Sequence, residues 1–182
     1  MNQYYLDGLL VVEGKQDKAF LSNFIKSKIV TVNGLDKENP IYVFLKNYSQ
    51  NHKIYVLSDP DEAGDKIRDY FKEKEIQSTN LNIKFKPRKR NKKEGVAEAD
   101  FNVVLESIKP YLCEPKTVNR LTTYELYELG LTGENSYENI DKICHYLKVP
   151  FVKGKNFKMI LDLAELDKPK ILKIIGKSYG NQ

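Results

Sequence analysis

The sequence predicts an α/β domain with a mostly parallel sheet flanked by helices, followed by a small all-helical domain. Three observations carry that prediction. LDGLLVVEG (6–14) and KIYVL (53–57) are apolar runs without polar alternation, which suits strands covered on both faces. Helical patterns separate these runs, as crossovers between parallel strands require. After residue 112 only helical periods remain, with no β-branched alternation.

Taken in order, LDGLLVVEG is a strand that ends in a carboxylate, Glu13, and a glycine, Gly14. DKAFLSNFIK (17–26) places apolar residues at 20, 21, 24 and 25, one face of a helix. IVTV (29–32) reads as a strand that stops at the turn pair Asn33-Gly34. PIYVFLKNY (40–48) is expected as a helix despite its β-branched start, because a connector must return the chain before the next strand. KIYVL then runs into Ser58-Asp59-Pro60-Asp61, where Pro60 has no N–H to give to a ladder. Gly64 precedes a helix with Ile67, Tyr70 and Phe71 on one face. LNIKF (81–85) is expected as a further strand and FNVVLESIKPYL (101–112) as a helix.

In the second part, TTYELYELGL (122–131) opens with Thr122 three residues before Glu125, the spacing of a capping box. NSYENIDKICHYLKVP (135–150) repeats the helical period until Pro150 closes it. FKMILDLAELDKPKILKIIGKSYG (157–180) supplies one or two more helices, with a break expected near Lys168-Pro169. The expected division is therefore 1–112 for the α/β domain and 113–182 for the helical one.

The composition is that of an ordinary globular protein, 41% hydrophobic and 30% charged. No apolar run approaches the 18 or so residues of a membrane span, and no basic-then-apolar leader stands at the start. A cytoplasmic protein that engages no membrane is expected. Cys113 and Cys144 lack a CxxC spacing and are expected as buried thiols. The net charge of +5 is modest. Residues 1–110 hold 19 Lys+Arg against 16 Asp+Glu, and residues 111–182 hold 11 against 9, so neither part is a polybasic arm. The charge is concentrated in KFKPRKRNKK (84–93), seven basic residues in ten. Such a field attracts phosphate backbones, and Arg88, Lys89, Arg90, Lys92 and Lys93 are the residues expected to bind a nucleic-acid backbone.

Three acids stand at strand ends. Glu13 ends the first strand, and Asp59 and Asp61 end a later parallel one. In a twisted parallel sheet the carboxyl ends of the strands share one edge, so these groups can converge from distant positions. Oxygen donors without a thiolate suit Mg²⁺, with Mn²⁺ as a substitute, better than zinc. Lys15, Lys66 and Arg68 lie close by in sequence, either to neutralise phosphate oxygens or to pair with Asp17, Asp65 or Asp69. No GxxxxGK[ST] and no GxSxG is present, and the two histidines are isolated.

VVEGKQDKAFL (11–21) together with SDPDEAGDKIR (58–68) resembles the toprim domain, the E…DxD module of topoisomerases, bacterial primases and some nucleases. Within that superfamily the chain is most similar to the ribonuclease M5 family. VNGLD (32–36), RNKKEGVAEAD (90–100), LTTYELYELGLTG (121–133) and VKGKNF (152–157) extend the resemblance over nearly the whole sequence. The resemblance implies a toprim fold with Glu13, Asp59 and Asp61 as catalytic, metal-binding acids. It implies supporting roles for Lys15, Asp17, Asp65, Lys66, Arg68 and Glu98. Ala99 stands where the pattern leads to a histidine, and Asp65 where members usually carry glutamate. The implied activity is Mg²⁺-dependent cleavage of both strands of the 5S ribosomal RNA precursor, which makes RNA the backbone that the basic run is expected to bind. The implied partners are a 5S-binding ribosomal protein and the large-subunit precursor particle. Two rivals stay open: another toprim activity on DNA, and a non-catalytic rRNA-binding or ribosome-assembly factor.

Overall fold

The computed structural model describes residues 3–32, 39–83, 95–115 and 121–177. Its chain divides into two compact units, Met1–Lys37 with Ser49–Lys116, and Glu38–Tyr48 with Thr117–Gln182.

The first unit is a toprim-type α/β fold built on a four-stranded, all-parallel sheet in the order β2-β1-β3-β4. The strands are β1 (Leu9–Val12), β2 (Ile29–Thr31), β3 (Ile54–Leu57) and β4 (Thr79–Asn80). β1 and β3 are central, and all eight of their residues are buried. That is the physical reason their sequences lack alternation: both faces of a parallel strand are removed from water. Leu10 and Val12 of β1 and Tyr55 and Leu57 of β3 share one core with Leu21, Ile25, Val96, Val104 and Ile108.

Among the described residues, three α-helices complete this unit: α1 (Lys15–Ser22), α3 (Glu62–Glu73) and α4 (Phe101–Ile108). α3 buries Ile67, Tyr70 and Phe71, as its period predicts. α1 starts two residues before the expected point and ends at Ser22, leaving Ile25 to bridge Tyr4 beside the sheet. The strand expected at 81–85 forms earlier and shorter. Thr79 and Asn80 make the ladder, and Leu81 still donates its N–H to the Val56 carbonyl at 2.8 Å. Residues 84 and 85 lie outside the described residues.

The second unit is helical. α2 (Ile41–Tyr48), α5 (Thr123–Glu128), α6 (Tyr137–Tyr146), α7 (Gly154–Ala164) and α8 (Lys168–Ile175) build it, with α2 packed on α7 and α6 on α8. The capping box is present: Thr122 Oγ1 accepts from the Glu125 N–H, and Glu125 Oε2 accepts from the Thr122 N–H. Asn47 on α2 donates through Nδ2 to the Lys148 carbonyl at 2.9 Å, and this fixes the turn after α6. The expected break falls slightly before Lys168-Pro169. Glu165 takes a left-handed φ of 52° at the end of α7, and Asp167 caps α8 by accepting from Lys170 N–H. Pro169 sits inside the first turn of α8, where its missing N–H would have had no helical partner. Cys144 is buried and Cys113 half-buried, both as free thiols. Among the described residues, no helix is long and apolar enough to cross a membrane.

Candidate active site

β1 and β3 are neighbours in register, with Val12 opposite Leu57. The next residues, Glu13 and Ser58, therefore leave the sheet side by side, and Asp59 follows one position later. Parallel pairing is what delivers these groups to the same edge from positions far apart in sequence.

Two turns hold the acids there. After β1, Gly14 is the N-cap residue of α1, and its N–H donates to Asp17 Oδ2 at 2.9 Å. Asp17 is buried and turned inward to this bond, so it is not the surface partner of Lys15 considered above. Lys15 is exposed on the first turn of α1. After β3, Asp61 is the N-cap of α3 and accepts from the Gly64 N–H at 2.9 Å. A carboxylate there gains from both the otherwise unpaired N–H and the positive end of the helix.

Asp59 is held from a third direction, since the Val96 N–H donates to its Oδ1 at 2.6 Å. Arg68, nearly two turns into α3, bonds the Ser58 hydroxyl through Nη1 and donates to the Asp59 carbonyl at 3.3 Å. Its Nη2 pairs with Asp65 Oδ1 at 2.7 Å. Arg68 thus acts on the backbone of the acidic turn and is only 20% exposed. Lys66 pairs outward with Glu62 at 2.7 Å, a partner the sequence reading does not name.

Glu13 is the strained member electrostatically. Burial pushes its carboxyl above the usual range, and the charges of Asp59, Asp61 and Asp17 raise it further. Among the described residues, its Oε2 is a buried side-chain oxygen with no hydrogen-bond partner. Such an atom calls for a proton or a cation. Among the described residues, no group of three or more acids, histidines or cysteines is placed to hold a metal ion by itself. A hard divalent ion that keeps several of its waters does not demand one. The all-oxygen donor set and the orphaned Glu13 oxygen fit Mg²⁺ in chemical type.

Of the remaining candidates, Arg88, Lys89, Arg90, Lys92 and Lys93 lie outside the described residues, as does the side chain of Glu98. Ala99, at the position where the resemblance leads to a histidine, packs against the core. The residue sequence reasoning missed is Val96. Its part is played by a backbone N–H, which leaves no trace in a pattern of side chains.

No model of a known protein family matches the chain. Individual relatives do. It is 26% identical over 162 residues to ribonuclease M5 of Mycoplasma genitalium, covering 88% of this chain and 90% of that protein. It is 27% identical over 172 residues to ribonuclease M5 of Mycoplasma pneumoniae, covering 93% and 95%. With ribonuclease M5 of Staphylococcus aureus the identity is 24% over 155 residues, covering 82% and 86%.

Proposed function

We propose that this chain, similar over most of its length to ribonucleases M5, is an endoribonuclease of rRNA maturation that cuts both strands of the 5S ribosomal RNA precursor. The observation that carries this reading is the convergence of Glu13 with Asp59 and Asp61 at one sheet edge, felt by Glu13 as a raised carboxyl pKa. Three carboxylates without a cation would repel a phosphodiester, so their gathering makes sense for a reaction run through a metal ion.

Glu13, Asp59 and Asp61 would hold the ion, Mg²⁺ or Mn²⁺ in its place. Bound there, the ion would polarise the scissile phosphate and make a water nucleophilic near neutral pH. The chain's own residues do the rest. Val96 and Arg68 hold the Asp59 carboxylate and carbonyl respectively, so its side chain is oriented before substrate arrives. Asp61 is held by the start of α3, and Lys15 presents an exposed ammonium at the same edge for a phosphate oxygen. Asp17 and Asp65 act indirectly, by holding Gly14 and Arg68. The basic run at 84–93 supplies phosphate contacts through Arg88, Lys89, Arg90, Lys92 and Lys93, which suits duplex RNA read by shape. The helical unit, Glu38–Tyr48 with Thr117–Gln182, would dock the substrate. The partners are the 5S-binding ribosomal protein and the large-subunit precursor particle, in the cytoplasm.

The test is cleavage of a 5S precursor by the full chain with Mg²⁺ and that ribosomal protein. The expected result is cuts in both strands that are lost in EDTA and in Asp59→Asn, while RNA binding survives. An inactive wild type, or activity that persists in EDTA, overturns the reading.

A further inference from the structure

The near-neutral sum of the helical part conceals a sharp division. Residues 121–141 contain five acids and no Lys or Arg; residues 142–161 contain five lysines and no acid. Within the basic half, Lys148, Lys153 and Lys155 are exposed. Beside them stand two large apolar side chains in water, Tyr137 at 56% and Phe151 at 36% exposure. Their rings pack at 4.4 Å between centroids with a 34° tilt, and Lys153 Nζ lies 5.2 Å from the first ring centre and 5.6 Å from the second. Glu138, next to Tyr137, is neutralised by Lys142 at 2.6 Å.

We propose that Tyr137, Phe151 and Lys153 form a platform that stacks an unpaired RNA base and binds its neighbouring phosphate. This rests on the reading of the substrate as RNA and adds to it a single-stranded contact remote in sequence from the acids. Exposed aromatic rings are costly to keep in water unless a flat partner covers them, and any base has such a face. A lysine over a ring is weakly held in water, and a phosphate is a stronger partner for it. Lys153 has no acid partner among the described residues, so on binding it can turn to phosphate and bare the rings. Lys148 and Lys155 extend the positive field to the next phosphates. Lys142 and Lys158 are paired with Glu138 and Asp162, but Lys148, Lys153 and Lys155 have no acid partner among the described residues, and three such cations beside the rings fit a polyanion.

The experiment measures fluorescence anisotropy of a labelled eight-nucleotide single-stranded RNA against the same strand with abasic central positions, using the full chain. The wild type should prefer the base-bearing strand by about 5- to 150-fold, the range expected for one stacked base. Phe151→Ala and Tyr137→Ala should erase that preference, and Phe151→Trp should keep it. Lys153→Gln should weaken both strands and lower the slope of log K against log salt by about 0.7. Equal affinity of wild type for the two strands overturns the proposal without the need for any variant. So do alanine variants that keep the base preference, or that lose only binding to the 5S-binding ribosomal protein. Precursor cleavage is followed in parallel. Wild-type cleavage without base preference sinks the platform alone, and base preference without cleavage sinks the nuclease reading alone.

Discussion

Val96 donates its backbone N–H to Asp59 Oδ1 across 2.6 Å, three positions after the last lysine of the basic run. The chain that follows the segment proposed to bind phosphate is therefore tied at Val96 to one of the proposed metal ligands. Val96 is also buried in the core of the α/β unit, which fixes the donor. Substitution can separate the two roles. Val96→Ala keeps the N–H and loses packing; Val96→Pro loses both. We expect Val96→Pro to be about 1.5–3 kcal/mol less stable than Val96→Ala, the usual worth of a hydrogen bond to a charged group. Cleavage should survive in the alanine variant and fail in the proline one. Equal activities in the two would mean that the bond does not orient Asp59.

Glu13 makes stability depend on pH with a definite sign. Its carboxyl is raised in the folded state by burial first and by Asp59, Asp61 and Asp17 next. The folded protein then holds the Glu13 proton more tightly than the unfolded chain does. The associated stability is full below the ordinary carboxylate value and is lost as pH rises through the raised one. Glu13→Gln keeps the shape and abolishes the ionisation. In EDTA it should melt above wild type at pH 7, and the difference should vanish toward about pH 4. Mg²⁺ should raise the wild-type melting temperature and leave Glu13→Gln little changed. Identical melting curves in EDTA at pH 7 would contradict the electrostatic account.

Gly64 is required by the same turn. A Cβ at this position would stand 2.0 Å from the Asp59 carbonyl oxygen and 3.1 Å from Ser58 Oγ. Gly64→Ala must push the acidic turn away from α3, at a cost of about 1–3 kcal/mol. Because the displaced residue is Asp59, cleavage should drop more than this loss of stability explains. Arg68→Lys is the gentler probe of the same turn: it keeps a charge for Asp65 but not the planar fork that also reaches Ser58 and Asp59. Cleavage measured well below each variant's melting temperature distinguishes misplacement from unfolding. Wild-type rates in both variants would refute the positioning role.

Much of this arrangement is legible in the sequence because burial writes itself into patterns. LLVV and IYVL lack alternation since both faces are covered, and the acids that follow them converge because the strands are parallel neighbours. Glu125 after Thr122 announces a helix start that the structure contains. What cannot be read has a common cause: it depends on backbone atoms or on packing between distant segments. Val96 acts through its N–H. Asp17 looks like one more surface acid and is buried by its bond to Gly14. IYVFLKNY reads as a helix on connection grounds, yet nothing local says that Ile41–Tyr48 packs on α7, more than a hundred residues later. Thr79 and Asn80 pair with β3 although both are exposed, so no hydrophobic signal marks them.

For the basic run the prediction concerns salt. Replacing Arg88, Lys89, Arg90, Lys92 and Lys93 by Gln should weaken binding to duplex RNA of any sequence. Removing one phosphate-bound cation lowers the slope of log K against log salt by up to about 0.9, taking the value for a B-form duplex as a guide. Binding titrations between low and moderate salt give the slope directly. An unchanged slope would reduce the segment to a solvated surface.

The division of labour between the two parts can be tested by truncation, and the structure shows where the cut must fall. A chain ending near Pro110 loses the Tyr111 carbonyl that accepts from Asp7 N–H at 3.1 Å and the Cys113 N–H that donates to Tyr5 at 2.8 Å. It also loses the bridge of Leu112 to Leu6, so the α/β unit itself would be damaged. A chain ending at Lys116 keeps these bonds but still carries α2 without α7. Ile41, Tyr42, Phe44 and Leu45 are all buried in the whole chain, and removing α7 strips cover from that helix. An amphipathic helix so uncovered seeks another apolar surface. The fragment 1–116 is therefore expected to self-associate on size-exclusion chromatography, and replacing Ile41 and Phe44 by Gln should return it toward the monomer. In that rescued fragment the acids remain, so slow, Mg²⁺-dependent nicking of RNA should persist while site-specific processing of the precursor is lost. Full-rate, site-specific cleavage by the fragment would show that residues beyond 116 do not dock the substrate.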